Sequence, residues 1–320
     1  MSEACRNFSL NRDVPSRYHQ LPQQFNTCVT QRKLLPLHKV LQIEKTMQLQ
    51  TVKQFYHKYK ITQLLGRGGY GAVYLSVHIS TRTLRAVKIL TNVKESKISF
   101  CPKRQRPVPN EVLLQEPLCH PNIVKLLEVY LDKETDTWYL VQEYHPGFTD
   151  LFSHINNNGP LTTRASSHII KQLVCVLQHL LNECGIDHRD VKDENILYNP
   201  ETGQIKLIDF GSAGRLSPSP YTGFRGTDVY IPPEYYHQRR YSALPATVWA
   251  VGCLSFILFT RDCPFHSREE VKSYRGVADF KGPKFLVNTK RVDFITRCLT
   301  PETEKRIHFS DLLAHPWLQI

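Results

Sequence analysis

No stretch of these 320 residues stays apolar long enough to cross a bilayer. The longest run, Val248 to Phe259, falls short of the roughly 20 residues a spanning helix needs and reads as a buried helix. Behind the charges of the opening MSEACRNFSLNRD there is no apolar stretch, hence no secretory signal, and an intracellular location in cytoplasm or nucleus is expected. No C-x-x-C pair occurs among the nine cysteines, an odd number scattered from Cys5 to Cys298, which argues against a zinc site or a disulfide framework; reduced, packed thiols are expected. Internal repeats and long low-complexity tracts are also missing. A hydrophobic content of 41% with 22% charged residues excludes a wholly disordered chain, and the length supports a core that needs no stapling.

What is present in excess is positive charge, +12 overall. Residues 1–60 hold ten Lys or Arg against three Asp or Glu, so more than half of the excess sits in the first fifth of the chain. The remainder has no basic stripe interleaved with aromatics and no nucleic-acid-reading motif, so nucleic acid is not the expected partner. Steeply salt-dependent binding of residues 1–58 to nucleic acid or anionic lipid is the signature that would say otherwise.

Residues 1–58 read as a basic extension with one short amphipathic helix around Leu37, Val40, Leu41, Glu44 and Met47. From 61 to 90 the pattern is of β type: ITQLL, AVYLSVHI and TLRAVKIL, bounded by turn residues. CPKRQRPVP, residues 101–109, with three prolines, reads as a loop and is followed by a short helix from Asn110 to about Glu116. VKLLEVYL and TWYLVQEY add two strands. After Pro146-Gly147 the character turns helical, and residues 162–183 place Ile169, Ile170, Leu173, Val174, Val176, Leu177, Leu180 and Leu181 on one stripe. The expected class is therefore α+β, a β-rich lobe of about 59–143 and an α-rich lobe of about 148–318, with a ligand cleft at the junction 143–147.

Three clusters carry chemistry. Gly66-Arg67-Gly68-Gly69-Tyr70-Gly71-Ala72-Val73 lets backbone N–H groups approach a phosphate chain. Alone it is weak evidence, since a dinucleotide-binding turn has similar spacing, but there the last glycine opens a helix and an acid follows about 20 residues on. Here a strand follows and position 88 is a lysine. Lys88 lies in the middle of an apolar strand, where an ammonium needs a partner, and Glu111 on the short helix is the available carboxylate; a lysine reaching water at a sheet edge is the plainer alternative. The third cluster is His188-Arg189-Asp190-Val191-Lys192-Asp193-Glu194-Asn195 with Ile205-Lys206-Leu207-Ile208-Asp209-Phe210-Gly211. Short apolar strands adjoin both sets and would deliver Asp190, Asn195 and Asp209 to one cleft. Two carboxylates and an amide oxygen are hard ligands suited to Mg²⁺ beside a substrate phosphate.

In that order, the glycine loop, strand lysine, H-R-D with Asn five residues after its Asp, D-F-G and Pro232-Pro233-Glu234 resemble a protein kinase over roughly Tyr59 to Leu318. Lys192, where tyrosine kinases usually show an alanine or arginine arrangement, is similar to serine/threonine enzymes. VPNEVLL, HRDVKDENIL, KLIDFGSAG, YTGFRGTDVYIPPE, AHPWLQ and Val248 before Trp249 resemble the Pim family. The resemblance implies a bilobal kinase fold and transfer of the γ-phosphoryl of ATP to Ser or Thr of protein substrates. It implies that Leu65 and Gly66 to Val73 cover ATP, that Ala86, Glu143, His145 and Leu197 complete the nucleotide site, and that Lys88, held by Glu111, pairs with the α- and β-phosphates. Asn195 and Asp209 would bind Mg²⁺, Asp190 would accept the hydroxyl proton, Lys192 would neutralise charge on the γ-phosphoryl, and Thr227 would contact Asp190. Glu234 with Arg306 would anchor the activation segment, and Asp150, Asp193 and Glu194 would favour Arg upstream of the target. A monomer, active as synthesised, is expected. An ATP-binding scaffold without activity is the rival reading, and it would require loss of Lys88, Asp190, Asn195 or Asp209, all of which are present.

The chain also departs from the family pattern. His145 stands where Pim-like hinges have proline, which returns a backbone N–H to the hinge. Gln115 occupies the position one turn beyond Glu111 where an apolar contact to the D-F-G region is expected, and Pro117 ends the helix early. Arg225 and Asp228 exchange charges relative to the family and are expected to pair with each other. Ser153 replaces an acid one turn after Asp150.

Overall fold

The computed structural model describes residues 47–68, 71–276 and 289–320. In the first half, β1 (Leu49–Thr51), α1 (Val52–Lys58), β2 (Tyr59–Gly68), β3 (Gly71–His78) and β4 (Leu84–Leu90) precede β5 (Ile98–Cys101), β6 (Arg106–Pro109), α2 (Asn110–Gln115), β7 (Leu126–Asp132) and β8 (Thr137–Glu143). One six-stranded sheet runs β1-β7-β8-β4-β3-β2, antiparallel except for β1 against β7. Alternation along β4 and β8 gives the sheet two covered faces. Leu90, Trp138 and Leu140 pack with Val112 of α2, while Val87, Tyr139 and Val141 pack with Phe55 of α1.

Two parts of this lobe differ from the sequence reading. Residues 101–109 are not a loop: β5 and β6 form a hairpin, registered Ile98↔Pro109 and Phe100↔Pro107. The prolines at 107 and 109 are two apart, so their missing N–H groups fall on one edge of a two-stranded ribbon, the place where a strand tolerates them. The second difference lies before residue 59. Thr51 forms a reciprocal cap with Gln54, and the helix it starts buries Phe55 completely among Tyr59, Tyr130 and Tyr139. Residues 49–58 thus belong to the sheet lobe rather than to the extension. The helix expected at Leu37–Met47 lies outside the described residues except for Met47.

The second half is helical around small hairpins. It comprises β9 (Thr149–Asp150), α3 (Leu151–Asn158), α4 (Thr163–Gln178) continued by a π-helical turn to Glu183, β10 (Ile186–Asp187), β11 (Ile196–Tyr198), β12 (Ile205–Leu207) and β13 (Gly214–Arg215). After these come α5 (Pro233–Gln238), α6 (Ala243–Thr260), α7 (Arg268–Ser273) and α8 (Lys290–Cys298). The stripe read from the sequence is the buried face of α4 and of the π-helical turn that continues it. Among the described residues α6 is the one helix long and apolar enough to cross a membrane, longer than its apolar run suggested. Its length is instead consumed by the core: Val248, Trp249, Val251, Leu254 and Leu258 are buried with Phe294, Ile295 and Trp317. Among the described residues the seven cysteines form no disulfide.

Candidate active site

The hairpin β11–β12 and the turns flanking it assemble the site. Ile196↔Leu207 and Tyr198↔Ile205 set the register, and β9 joins at Leu197↔Asp150. One residue before Asp209, the Ile208 N–H donates to the Asn195 carbonyl (3.0 Å) and the Ile208 carbonyl accepts from Nε2 of His188 (3.1 Å). Backbone bonds therefore bring Asp209, Asn195 and the His188–Asp190 turn together. Phe210 is fully buried with its ring edge-on to His188, centroids 5.1 Å apart. Two of the residues that shape this turn, Arg189 (φ 62°) and Asp209 (φ 61°), adopt the left-handed conformation that non-glycine residues rarely take, the kind of strain that gathers at functional sites.

Lys88 crosses from the sheet to meet two carboxylates, Glu111 Oε1 at 2.6 Å and Asp209 Oδ1 at 2.9 Å. Burial opposes its charge, but the two acids outweigh burial and hold the ammonium above its ordinary pKa. Against the effect of burial, Lys88 keeps Asp209 below the usual carboxylate range. Asp209 Oδ1 also accepts the Gly211 N–H (2.9 Å). Asn195 donates through Nδ2 to the Asp190 carbonyl (2.8 Å) and to Asp190 Oδ2 (3.0 Å), while Thr227 donates to Asp190 Oδ1 (2.9 Å). Both oxygens of Asp190 are thus oriented. Lys192 lies 4.0 Å from Asp190 and is ion-paired with Glu194. Gly226 makes this packing feasible: a Cβ there would come within 2.4 Å of the Arg189 carbonyl.

Above this floor, Leu65, Gly66, Arg67 and Gly68 leave β2 and Gly71, Ala72 and Val73 enter β3, with the register closing at Gly68↔Gly71. Gly69 and Tyr70 lie outside the described residues. Gly71 must be glycine, since a Cβ would meet the Ile89 carbonyl at 2.1 Å. Ala86 pairs with Gln142 across β4 and β8, and Glu143 follows. His145, Pro146, Gly147 (φ 80°) and Phe148 form a turn closed by Phe148 N–H to the His145 carbonyl (3.3 Å), as a Pro-Gly centre favours. The His145 N–H has no acceptor among the described residues. Its ring, which burial keeps neutral to lower pH, sits 3.2 Å from Glu143.

The three acids read as substrate contacts part company. Glu194 is 51% exposed at its side chain. Asp150 caps α3, accepting the Ser153 N–H at 2.7 Å. Asp193 is 8% exposed, its carboxylate accepting from Tyr230 (3.3 Å) and from the Glu194 N–H (3.2 Å), and burial raises its pKa, so it supports the loop from beneath instead of facing a substrate. Beside them opens a pocket of about 230 Å³ lined by Phe152, Lys192, Glu194, Thr227, Tyr230 and Asp262. Arg225 and Asp228 do not form the expected pair; Asp228 bonds Arg268 of α7 at 2.7 Å, out in solvent. Glu234 and Arg306 do meet, bidentate at 2.9 and 2.8 Å, with the guanidinium also donating to the Thr300, Pro245 and Pro301 carbonyls.

One arrangement escaped the sequence reading. Asp187, just before His188, is buried, accepts the Arg189 N–H (3.2 Å) and lies 3.6 Å from the Arg189 guanidinium. That guanidinium covers the Tyr221 ring at 4.1 Å and donates to the Arg215 carbonyl (3.2 Å). An acid in the otherwise apolar run before H-R-D was the signal available.

The protein kinase domain family matches residues 59–318. Over 279 residues the chain is 33% identical to serine/threonine-protein kinase pim-2 of Danio rerio, covering 83% of this chain and 86% of that protein. It is 32% identical to serine/threonine-protein kinase prk-2 of Caenorhabditis elegans over 83% of this chain and 59% of the relative, and 30% identical to serine/threonine-protein kinase PSK2 of Saccharomyces cerevisiae over 84% and 24%. With the site's geometry and this similarity along most of its length, the chain belongs to the serine/threonine protein kinases, of Pim type.

Proposed function

We propose that this kinase is active without a phosphate on its activation segment, uses MgATP, and selects serine or threonine with arginine a few residues upstream. The observation that carries the reading is Lys88 joined at once to Glu111 and Asp209, with Asp190 aligned by Thr227 and Asn195. The donor set suits magnesium. Nδ2 of Asn195 is spent on Asp190, which leaves its Oδ1 without a donor among the described residues, and Lys88 and Gly211 occupy only Oδ1 of Asp209, so one amide oxygen and one carboxylate oxygen remain as hard ligands. When bound, the ion would neutralise charge on the phosphates. The other roles fall to the chain itself. Lys88 would exchange part of its contact with Asp209 for the α- and β-phosphates while Glu111 keeps it in place. Asp190 orients the substrate hydroxyl and accepts its proton, and Lys192 lies close enough to stabilise charge on the transferring group. His145 supplies a free N–H, and Glu143 a neighbouring carbonyl, at the adenine edge.

Arg189 supports activity without phosphate, because Asp187 and Tyr221 already occupy the guanidinium that joins the catalytic turn to the segment after Asp209. Glu194 and Asp262, on the rim of the 230 Å³ pocket, offer carboxylates to an arginine. Described cysteines that form no disulfide suit a reducing compartment, in keeping with work in cytoplasm or nucleus on protein partners.

Radiolabel transfer from ATP to a degenerate peptide library tests the whole reading. Lys88→Met, Asp190→Asn and Asp209→Ala should each lower turnover by at least about a hundredfold, phosphatase treatment should leave the rate unchanged, and Glu194→Ala should weaken selection of upstream Arg. Undiminished transfer by Asp209→Ala would overturn the metal assignment. An inert wild type that still binds ATP would favour a scaffold.

A further inference from the structure

The helix that carries Glu111 is weakly built. α2 is six residues long, has no side-chain cap, and is stopped by Pro117, so it has little stability of its own. One turn beyond Glu111, where an apolar contact was expected, Gln115 is 1% exposed, and facing it on β8 is Gln142, 7% exposed. Gln115 Nε2 donates to the Val124 carbonyl (2.9 Å), and Gln142 Nε2 donates to Gln115 Oε1 (3.0 Å). This chain of amides can run only one way. A backbone carbonyl has no proton to give, so Gln115 must turn its NH₂ to Val124; its oxygen then faces Gln142, which must answer with NH₂. Reversing either amide sets two acceptors or two donors against each other in a site with almost no water.

Register places the two ties side by side. Lys88 pairs with Leu140 and Ala86 with Gln142, so Lys88 and Gln142 project from the same face of the sheet. Glu111 and Gln115, i and i+4, project from the same face of α2. Val112 packs on Leu90, Trp138 and Leu140, but that apolar contact has no direction, and with Glu111–Lys88 as its one polar tie the helix could still turn about that bond. The second tie, one turn away, fixes both its rotation and its distance from the sheet. We infer that Gln115 and Gln142 are positioning residues for phosphoryl transfer: their directed amide chain holds α2 so that Glu111 keeps Lys88 aligned when ATP draws on the same ammonium. The inference rests on the reading of Lys88 as the phosphate-binding lysine.

The test uses the full chain with an Arg-rich serine peptide, at varied ATP and peptide concentrations. Gln115→Met and Gln142→Met should each lower kcat about tenfold, equivalent to about 1.4 kcal/mol, with the peptide KM within about twofold. The double variant should also be about tenfold slower, not a hundredfold, because either change already breaks the one unit. Gln142→Glu supplies a readout that packing alone does not move. Only a protonated carboxyl can donate to Gln115 Oε1, and burial raises such a carboxyl while Lys88 on the same face lowers it, so its rate relative to wild type should rise as pH falls from about 8 to 5. Met variants at wild-type rates, multiplicative losses in the double variant, or an impaired Gln142→Glu with a flat pH ratio would each overturn the inference while the wild type remains active. A wild type unable to phosphorylate the peptide would instead defeat the underlying assignment of Lys88.

Discussion

Asp187 holds a charge that the fold resists. Burial lifts its carboxyl to about 6 from 3.8, even with Arg189 pulling the other way. An acid harder to ionise folded than unfolded contributes stability that is complete below about pH 3.8 and gone above about 6; over that window the change is about 3 kcal/mol. Urea titrations should therefore show wild type gaining on Asp187→Asn as pH falls from 6 to 4. Activity should move oppositely. Protonation removes the counter-charge that keeps Arg189 on Tyr221, so kcat should fall through about pH 6 in wild type, and that inflection should be missing from Asp187→Asn. A stability difference that ignored pH would reject the assignment. At this scale the sequence showed what chemistry demands: Lys88, Asp190, Asn195 and Asp209 come together as their types and spacing require. It could not show depth or local commitment. Asp150 spends an oxygen on capping the helix that begins right after it, and Asp193 lies under Tyr230, a neighbour distant in sequence.

Elements are joined at a few polar knots, the tightest of them at Arg306. Its guanidinium ties Glu234 of α5 to the Pro245 carbonyl in the first turn of α6 and to the two carbonyls just after α8. Glu234→Gln leaves that charge buried without a counter-ion and should cost about 3–5 kcal/mol, read as a lower denaturant midpoint with an unchanged slope. A shift of under about 1 kcal/mol would mean water relieves the charge. The pair was legible because both residues stand at recognisable motif positions. The hairpin β5–β6 was not, since three prolines in nine residues argue for a loop unless one knows that two of them share a free edge. Nor was α1, whose seven residues have too few apolar positions for a periodicity and which depends on Phe55 finding the Tyr59, Tyr130 and Tyr139 rings.

At the scale of the molecule, the two-lobed plan followed from the change of pattern at Pro146-Gly147, and the sheet lobe was underestimated at the β5–β6 hairpin and at its start. At that start the chain is fastened before the first strand. The Met47 N–H donates to Glu116, Arg104 on the β5–β6 hairpin is bidentate to the same carboxylate at 2.8 and 3.0 Å, and Arg104 also donates to the Met47 carbonyl (2.8 Å). Glu116 stands at the C-terminal end of α2, its backbone N–H bonded to the Val112 carbonyl, five residues from Glu111. Deleting residues 1–51 should consequently slow turnover about fivefold relative to a chain beginning at Met47, on the order of 1 kcal/mol, and equal rates in the two truncations would show that the fastening is idle. A pull on the chain at Met47 is therefore a pull on this junction. Load applied there reaches Glu116, and one helical turn later the carboxylate that steadies Lys88, without first crossing the sheet.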